Sequence, residues 1–123
     1  ETNPLAQKCL RENLTTLNAS SGEIIQQDCC SWLSQPATQQ FDIVFIDPPF
    51  AANLWQTVID QLEERQWLTP NAWIYIETPK QESVTTPPNW QLHRDGSPHD
   101  QYRCLRCPRR LCIKITAKIK QLL

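Results

Sequence analysis

An apolar, largely β-branched run, Phe41-Asp42-Ile43-Val44-Phe45-Ile46, ends without transition at Asp47-Pro48-Pro49-Phe50. Such a run fits a strand buried on both faces, the kind found in parallel sheets covered by helices. The two prolines cannot extend it, because each lacks an N–H and has a fixed φ. The residue before each proline is also driven to extended geometry. A buried strand with a stiff acidic turn at its carboxyl end therefore organises the reading of the rest of the chain.

The segments around it alternate. Pro4 to Leu17 reads as a helix, with Thr2 or Asn3 as cap, Pro4 in the first turn, and Leu10, Leu14 and Leu17 at helical spacing. Asn18 to Gly22 is a stop and turn, and Glu23 to Gln27 reads as a short strand ending at Asp28. Cys30 to Leu33 fits a short helix before Pro36, and Leu54 to Trp67 a longer one with Leu54, Val58, Ile59 and Leu62 on one face. Trp73 to Glu77 is a second apolar strand, Thr78 to Asn89 a proline-bearing loop, and Trp90 to Arg94 a weaker strand. Ile113 to Leu123 reads as a basic amphipathic helix or as unstructured chain. Helix, strand, helix, strand, helix, strand predicts an α/β layered sheet with parallel strands and crossover helices. Ligands of such sheets bind beyond the carboxyl ends of the strands, where Asp28, Asp47 and Glu77 lie.

Composition narrows the classes. At 123 residues the chain is one domain or part of one, long enough for a single core. No apolar run reaches the roughly 18 residues a membrane span needs, and no basic-then-apolar leader opens the chain. The expectation is a cytoplasmic chain without membrane partners. Two glycines leave no room for a glycine-rich phosphate loop. No Met is present, which suggests a processed chain or a piece of a longer protein. Residues 1–102 carry a net charge of −8 and residues 103–123 one of +7. The basic end is either a solvated tail or a nucleic-acid contact. The six cysteines have no framework spacing and read as reduced thiols. Cys104-x2-Cys107-x4-Cys112, with His93 and His99, holds enough donors for zinc but only one close couple, so no metal site is expected. Cys29-Cys30 is a poor redox pair, since adjacent cysteines rarely bridge.

Asp47 to Phe50 carries the chemistry. Asp47 offers a carboxylate acceptor, the Pro48 carbonyl a second acceptor outside any helix ladder, and Phe50 an aromatic plate. This set suits an exocyclic amine on a planar base. Hydrogen bonds from both N–H groups to Asp47 and the Pro48 carbonyl draw the nitrogen toward tetrahedral geometry and stabilise its developing positive charge. Asp-Pro-Pro also serves as a plain strand-terminating turn. Its position after a buried strand and before a helix favours the chemical role.

This segment resembles the (D/N)PP(F/Y/W) motif of amino-group methyltransferases that use S-adenosylmethionine. The order KCLRENLTTLN, EIIQQDCCSWL, FDIVFIDPPF, WLTPNAWIYIE and PPNWQLHR resembles RsmD-type enzymes over roughly residues 1–95. The resemblance implies a Rossmann-like three-layer αβα sandwich of the class I methyltransferases. It further implies methyl transfer to guanine N2 in 16S rRNA of the small ribosomal subunit or its assembly intermediate, by a monomer.

By the same resemblance Glu1 holds the cofactor ribose, Asp28 the adenine amine, and Cys29 lies beside the adenine ring, while Asp47, Pro48, Pro49 and Phe50 form the catalytic motif and Asp47 also faces the cofactor. Asp28 taken alone reads equally as a helix N-cap. The family's first strand and glycine loop have no counterpart here, which implies a weakly active or inactive fragment. Residues 1–102 then form a partial methyltransferase domain and residues 103–123 a basic tail outside the family pattern. Two alternatives stand beside this. One is a fragment of an adenine-N6 or cytosine-N4 DNA methyltransferase, whose targets are also exocyclic amines. The other is a non-catalytic RNA-binding remnant.

Overall fold

In the computed structural model, residues 1–79, 82–96, 101–107 and 119–122 are described. Strand β1 (Phe41–Ile46) pairs in parallel with β2 (Leu68–Thr78), matching Ile43 to Trp73 and Ile46 to Ile76. β2 continues antiparallel to β4 (Gln101–Arg106), and β4 antiparallel to β3 (Gln91–Gly96). On the other side of β1 lies β5 (Ile119–Leu122), parallel to it, so the sheet order is β3-β4-β2-β1-β5. β1 thus has a neighbour on each edge, as its continuous apolar sequence predicts.

Beyond the irregularity between Phe41 and Ile43, side chains of β1 and its partners alternate between the two faces. Val44, Ile46, Ile74, Ile76 and Leu105 point to one face and are buried in a single core. Helices α2 (Cys29–Leu33) and α3 (Trp55–Glu64) supply the other side of that core through Leu33, Trp55, Val58, Ile59 and Leu62. The expected apolar face of α3 is therefore the face it buries, with Trp55 added. The helix is shorter than the expected Leu54 to Trp67. Gln66 adopts a left-handed φ of 60° and turns the chain back, and the Trp67 N–H then donates to the Leu62 carbonyl at 3.1 Å. Trp67 itself becomes core, stacked near Trp32 and Phe41 and donating its indole N–H to Leu33 O at 2.9 Å.

Helix α1 (Pro4–Thr16) starts as predicted. Asn3 Oδ1 accepts from the N–H groups of Leu5 and Ala6 at 2.9 and 3.2 Å, and Pro4 occupies the first turn, where no donor is lost. Leu10 and Leu14 are half-buried, but Leu17 caps the helix and is 74% exposed, so it leaves the expected stripe.

Two expected elements differ. Glu23 to Gln27 forms no strand. The segment is extended enough for the carbonyls of Ile25 and Gln27 to face one way, but both accept from the α-amino group of Glu1, at 3.0 and 3.3 Å, instead of from a ladder. A strand needs a run of partner residues, and a single ammonium group is not one. At the other end, residues 119–122 of the stretch read as an amphipathic helix or unstructured chain lie in the sheet as β5. The rest of that stretch is outside the described residues.

Candidate functional site

The carboxyl end of β1 delivers Asp47 to the rim of the sheet, next to Glu77 at the same end of β2, because Ile46 and Ile76 are register partners. Phe45 and Tyr75 share a sheet face, and alternation continues that face to Asp47 and Glu77. Pro48 is buried and Pro49 exposed. The Pro49 carbonyl accepts from the Ala52 N–H at 2.9 Å, closing a 3₁₀ turn over Phe50–Ala52. Asn53, at φ 46°, then redirects the chain into α3. The stiffness expected of the two prolines thus ends in a closed turn. The stacking role expected of the Phe50 ring lies outside the described side chains.

A second closure was not legible in the sequence. The indole N–H of Trp55 donates to the Glu77 carbonyl at 2.7 Å. It ties the first residue of α3 to the end of β2, so the Asp47–Leu54 connection is fixed at both ends. Only the apolar position of Trp55 was visible beforehand. Its bond spans 22 residues and depends on strand register.

The loop after β2 is also held. Gln56 pairs with the backbone of Thr85 in both directions, each bond 3.0 Å. Glu63 accepts from Asn89 Nδ2 and Trp90 Nε1, both at 3.0 Å. Arg103 donates to the Val84 carbonyl at 3.2 Å. The proline-bearing segment is thereby laid against α3 and β4, with Val84 and Trp90 buried in the core.

Glu1, Asp28 and Cys29 form a second group. The α-amino group of Glu1 bonds the carbonyl of Gln27, next to Asp28, while Glu1 Oε1 accepts from the Asn3 N–H at 2.7 Å. Asp28 caps α2, its Oδ2 accepting from the Ser31 N–H at 2.8 Å. That bond, with help from the Ser31 hydroxyl, the Cys30 N–H and the nearby α-amino charge, lowers the Asp28 pKa against a small opposing effect of burial. Cys29 opens α2 and packs half-buried against the core. Burial, and secondarily the Asp28 charge, raises the pKa of Cys30. Among the described residues, no hydrogen bond or ion pair joins this group to Asp47, and no cluster of three or more His, Cys, Asp or Glu could hold a metal. His99 and Cys112 lie outside the described residues. No helix among the described residues is long and apolar enough to cross a membrane.

Comparison with known proteins places this arrangement. The family described as conserved hypothetical protein 95 matches residues 1–104. A Haemophilus influenzae protein named ribosomal RNA small subunit methyltransferase D is 47% identical over 89 residues, covering 70% of this chain and 46% of the relative. Its Escherichia coli namesake is 39% identical over 87 residues, covering 70% and 43%. The chain spans about half the length of the curated relatives it matches. A solved Haemophilus influenzae structure, described as a candidate methylase, superposes with a TM-score of 0.79 at 38% identity, covering 89% of this chain and 70% of that one. An Escherichia coli candidate methyltransferase gives 0.79 at 32% identity, covering 89% and 61%. The strand-end acidic turn, the α/β sheet that presents it and these likenesses agree: the chain belongs to the conserved hypothetical protein 95 family, that of the RsmD-type methyltransferases.

Proposed function

We propose that this chain carries the amine-orienting mouth of a methyltransferase that modifies the exocyclic N2 amine of a guanine in small-subunit ribosomal RNA. The observation that carries the reading is the Asp47–Phe50 segment at the carboxyl end of β1, fixed by the closed Pro49–Ala52 turn, in a chain whose curated relatives are named small-subunit rRNA methyltransferases.

The amine nitrogen of a base is a poor nucleophile because its lone pair is delocalised into the ring. Asp47 and the Pro48 carbonyl accept its two N–H bonds and turn the lone pair out of the ring plane. Pro48 is buried and the turn after it is closed by the Ala52 N–H on the Pro49 carbonyl, so the backbone acceptor needs little reorganisation as positive charge builds. As the N–C bond formed, the methyl–sulfur bond of the donor would break to release a neutral thioether, and the cationic nitrogen would then lose one N–H proton to solvent. The target base is unpaired or swung out of its stack, which costs a few kcal/mol in a duplex.

S-adenosylmethionine, the group implied by the family, supplies an electrophilic methyl when bound. The residues present fit it in chemical kind. Asp28 presents a carboxylate held by the start of α2, and the Glu1 carboxylate is held by the Asn3 N–H, as acceptors for an amine and a diol.

Incubation with labelled S-adenosylmethionine and small-subunit rRNA lacking the modification, followed by digestion to nucleosides and mass spectrometry, tests the target. The expected product is N2-methylguanosine. Label in N6-methyladenosine or N4-methylcytidine would reassign the base, and RNA binding without label would favour the non-catalytic reading.

A further inference from the structure

The carboxyl rim of the β1–β2 pair holds one acid more than orienting an amine requires. Ile46 and Ile76 are register partners, so the next residues along the two parallel strands, Asp47 and Glu77, stand side by side. Neighbouring strands lie about 4.8 Å apart. Both acids follow rings on one sheet face. Phe45 and Tyr75 are 5.7 Å apart, and Tyr75 stacks on Tyr102 at 5.7 Å with the planes 17° from parallel. Trp73 continues this aromatic face one step further back, edge-on to His93 at 4.9 Å. The step behind each acid on its own face is therefore filled by rings. Whatever layer covers those rings, both acids stand at the rim, where ligands of α/β sheets bind.

The Glu77 backbone is fixed on two sides. Its carbonyl accepts the Trp55 indole N–H at 2.7 Å, and Tyr102 of β4 is its register partner. Tyr102 lies in turn against Gly96, where a β-carbon would collide with its ring. The Trp55 bond uses only the Glu77 backbone, and a carboxylate offers about four lone-pair positions.

The edges of the three bases with exocyclic amines differ at one atom. Guanine, adenine and cytosine each present two N–H donors on the amine. On one side of that amine guanine carries a third donor, the N1–H. Adenine N1 and cytosine N3 are bare acceptors at the equivalent place. Asp47 and the Pro48 carbonyl take the two amine donors. A third acceptor beside Asp47 then finds a partner on guanine alone. On adenine or cytosine a lone pair would face the carboxylate, an unpaired and repulsive contact of the kind that gives specificity.

We propose that Glu77 accepts the N1–H of the target base and thereby makes the mouth selective for guanine. The inference rests on the guanine reading above and names the residue that chooses the base. The reacting nitrogen itself stays with Asp47 and Pro48.

The test compares guanine with 2-aminopurine, which keeps the 2-amino group but has a bare acceptor at N1. Initial rates of methyl transfer are measured on unmodified small-subunit rRNA, ligated to carry either base at the position the parent modifies. The parent should prefer guanine by roughly 10- to 100-fold, as expected for loss of a hydrogen bond to a charged group. Glu77→Gln, whose amide N–H can donate to a bare N1, should bring the two rates close to parity by raising transfer to 2-aminopurine. Glu77→Ala should bring them together by lowering transfer to guanine. A merely structural role would lower both rates by the same factor and keep the ratio. A ratio unchanged in both variants, with unchanged circular dichroism, would overturn the proposal. A parent that uses both bases equally would overturn it without any variant, which covers the case in which a variant fails to fold. Fluorescence anisotropy with labelled ten-nucleotide oligouridines bearing a single guanine or 2-aminopurine reads the same preference without transfer. A guanine preference in binding that Glu77→Gln abolishes, with no methyl transferred, sinks the catalytic reading alone. Transfer to guanine with a ratio indifferent to Glu77 sinks the Glu77 assignment alone.

Discussion

Asp28 shows how one side chain serves two readings. As a cap it accepts the Ser31 N–H at 2.8 Å, and this bond lowers its pKa. A depressed carboxylate stabilises the fold above its unfolded value, near 3.9, and loses that contribution as pH falls through the lower folded value. Asp28→Ala should cost about 1 kcal/mol near neutral pH, while Asp28→Asn should keep most of the cap. The stability difference between the parent and Asp28→Asn should shrink below about pH 4 in urea titrations. An unchanged difference would mean that the cap does not carry the shift. Reactivity of the thiols follows the same logic. Cys30 is partly buried with a raised pKa and Cys9 is exposed, so iodoacetamide at neutral pH should label Cys9 well before Cys30. Mass spectrometry of the timed digest reads the order.

At the scale of elements, α3 is the piece that both fills the core and anchors the mouth. Ile59 and Leu62 are fully buried, so Leu62→Ala should cost 2–5 kcal/mol by urea unfolding, as roughly expected for a cavity of that size. Trp55→Phe keeps an aromatic side chain, though a smaller one, and deletes the donor to the Glu77 carbonyl. It should cost about 1 kcal/mol or somewhat more, because the carbonyl loses a partner. Native-state hydrogen exchange should show the Ala52 amide exchanging faster in this variant. An unchanged Ala52 rate would mean that the 3₁₀ turn holds without the clamp.

The same scale shows what the chain made legible. β1 and the Trp73–Glu77 part of β2 were readable because a strand buried within a sheet is mostly apolar, whereas Leu68–Ala72, with Thr69, Pro70 and Asn71, carried no such signal; α1 was readable because Asn3-Pro4 marks a helix start on local grounds. Glu23–Gln27 has a strand's composition but, among the described residues, no ladder partner, and pairing is a property of two segments. The Trp55 clamp and the Gln56–Thr85 pair join residues 22 and 29 positions apart, so no local pattern announces them.

At the scale of the whole molecule, charge and topology separate what local reading merges. The basic end reads as a tail or helix by composition, yet Gln101–Arg106 and Ile119–Leu122 both enter the sheet, on opposite sides of the β1–β2 pair. The aromatic face emerges only from that assembly. Trp73 and Tyr75 read in sequence as ordinary strand residues and Tyr102 as part of no element, and register alone aligns them. The Asp47–Phe50 segment was legible as a stiff turn because a strand, its end and the start of a helix are contiguous in the chain. Glu1 and Asp28, by contrast, were assigned through family likeness, and the structure gives each a backbone-capping bond of its own.

The account stands or falls on the carboxyl end of β1. The most direct measurement compares initial rates of methyl transfer to small-subunit rRNA for the parent, Asp47→Asn and Asp47→Ala. An acceptor that orients an amine should be replaceable by the amide oxygen of Asn within about tenfold, whereas Ala should lose roughly 100- to 1,000-fold. Circular dichroism should be the same for all three. Parent-like transfer by Asp47→Ala would contradict the central claim, because the amine would then be oriented by something other than this turn.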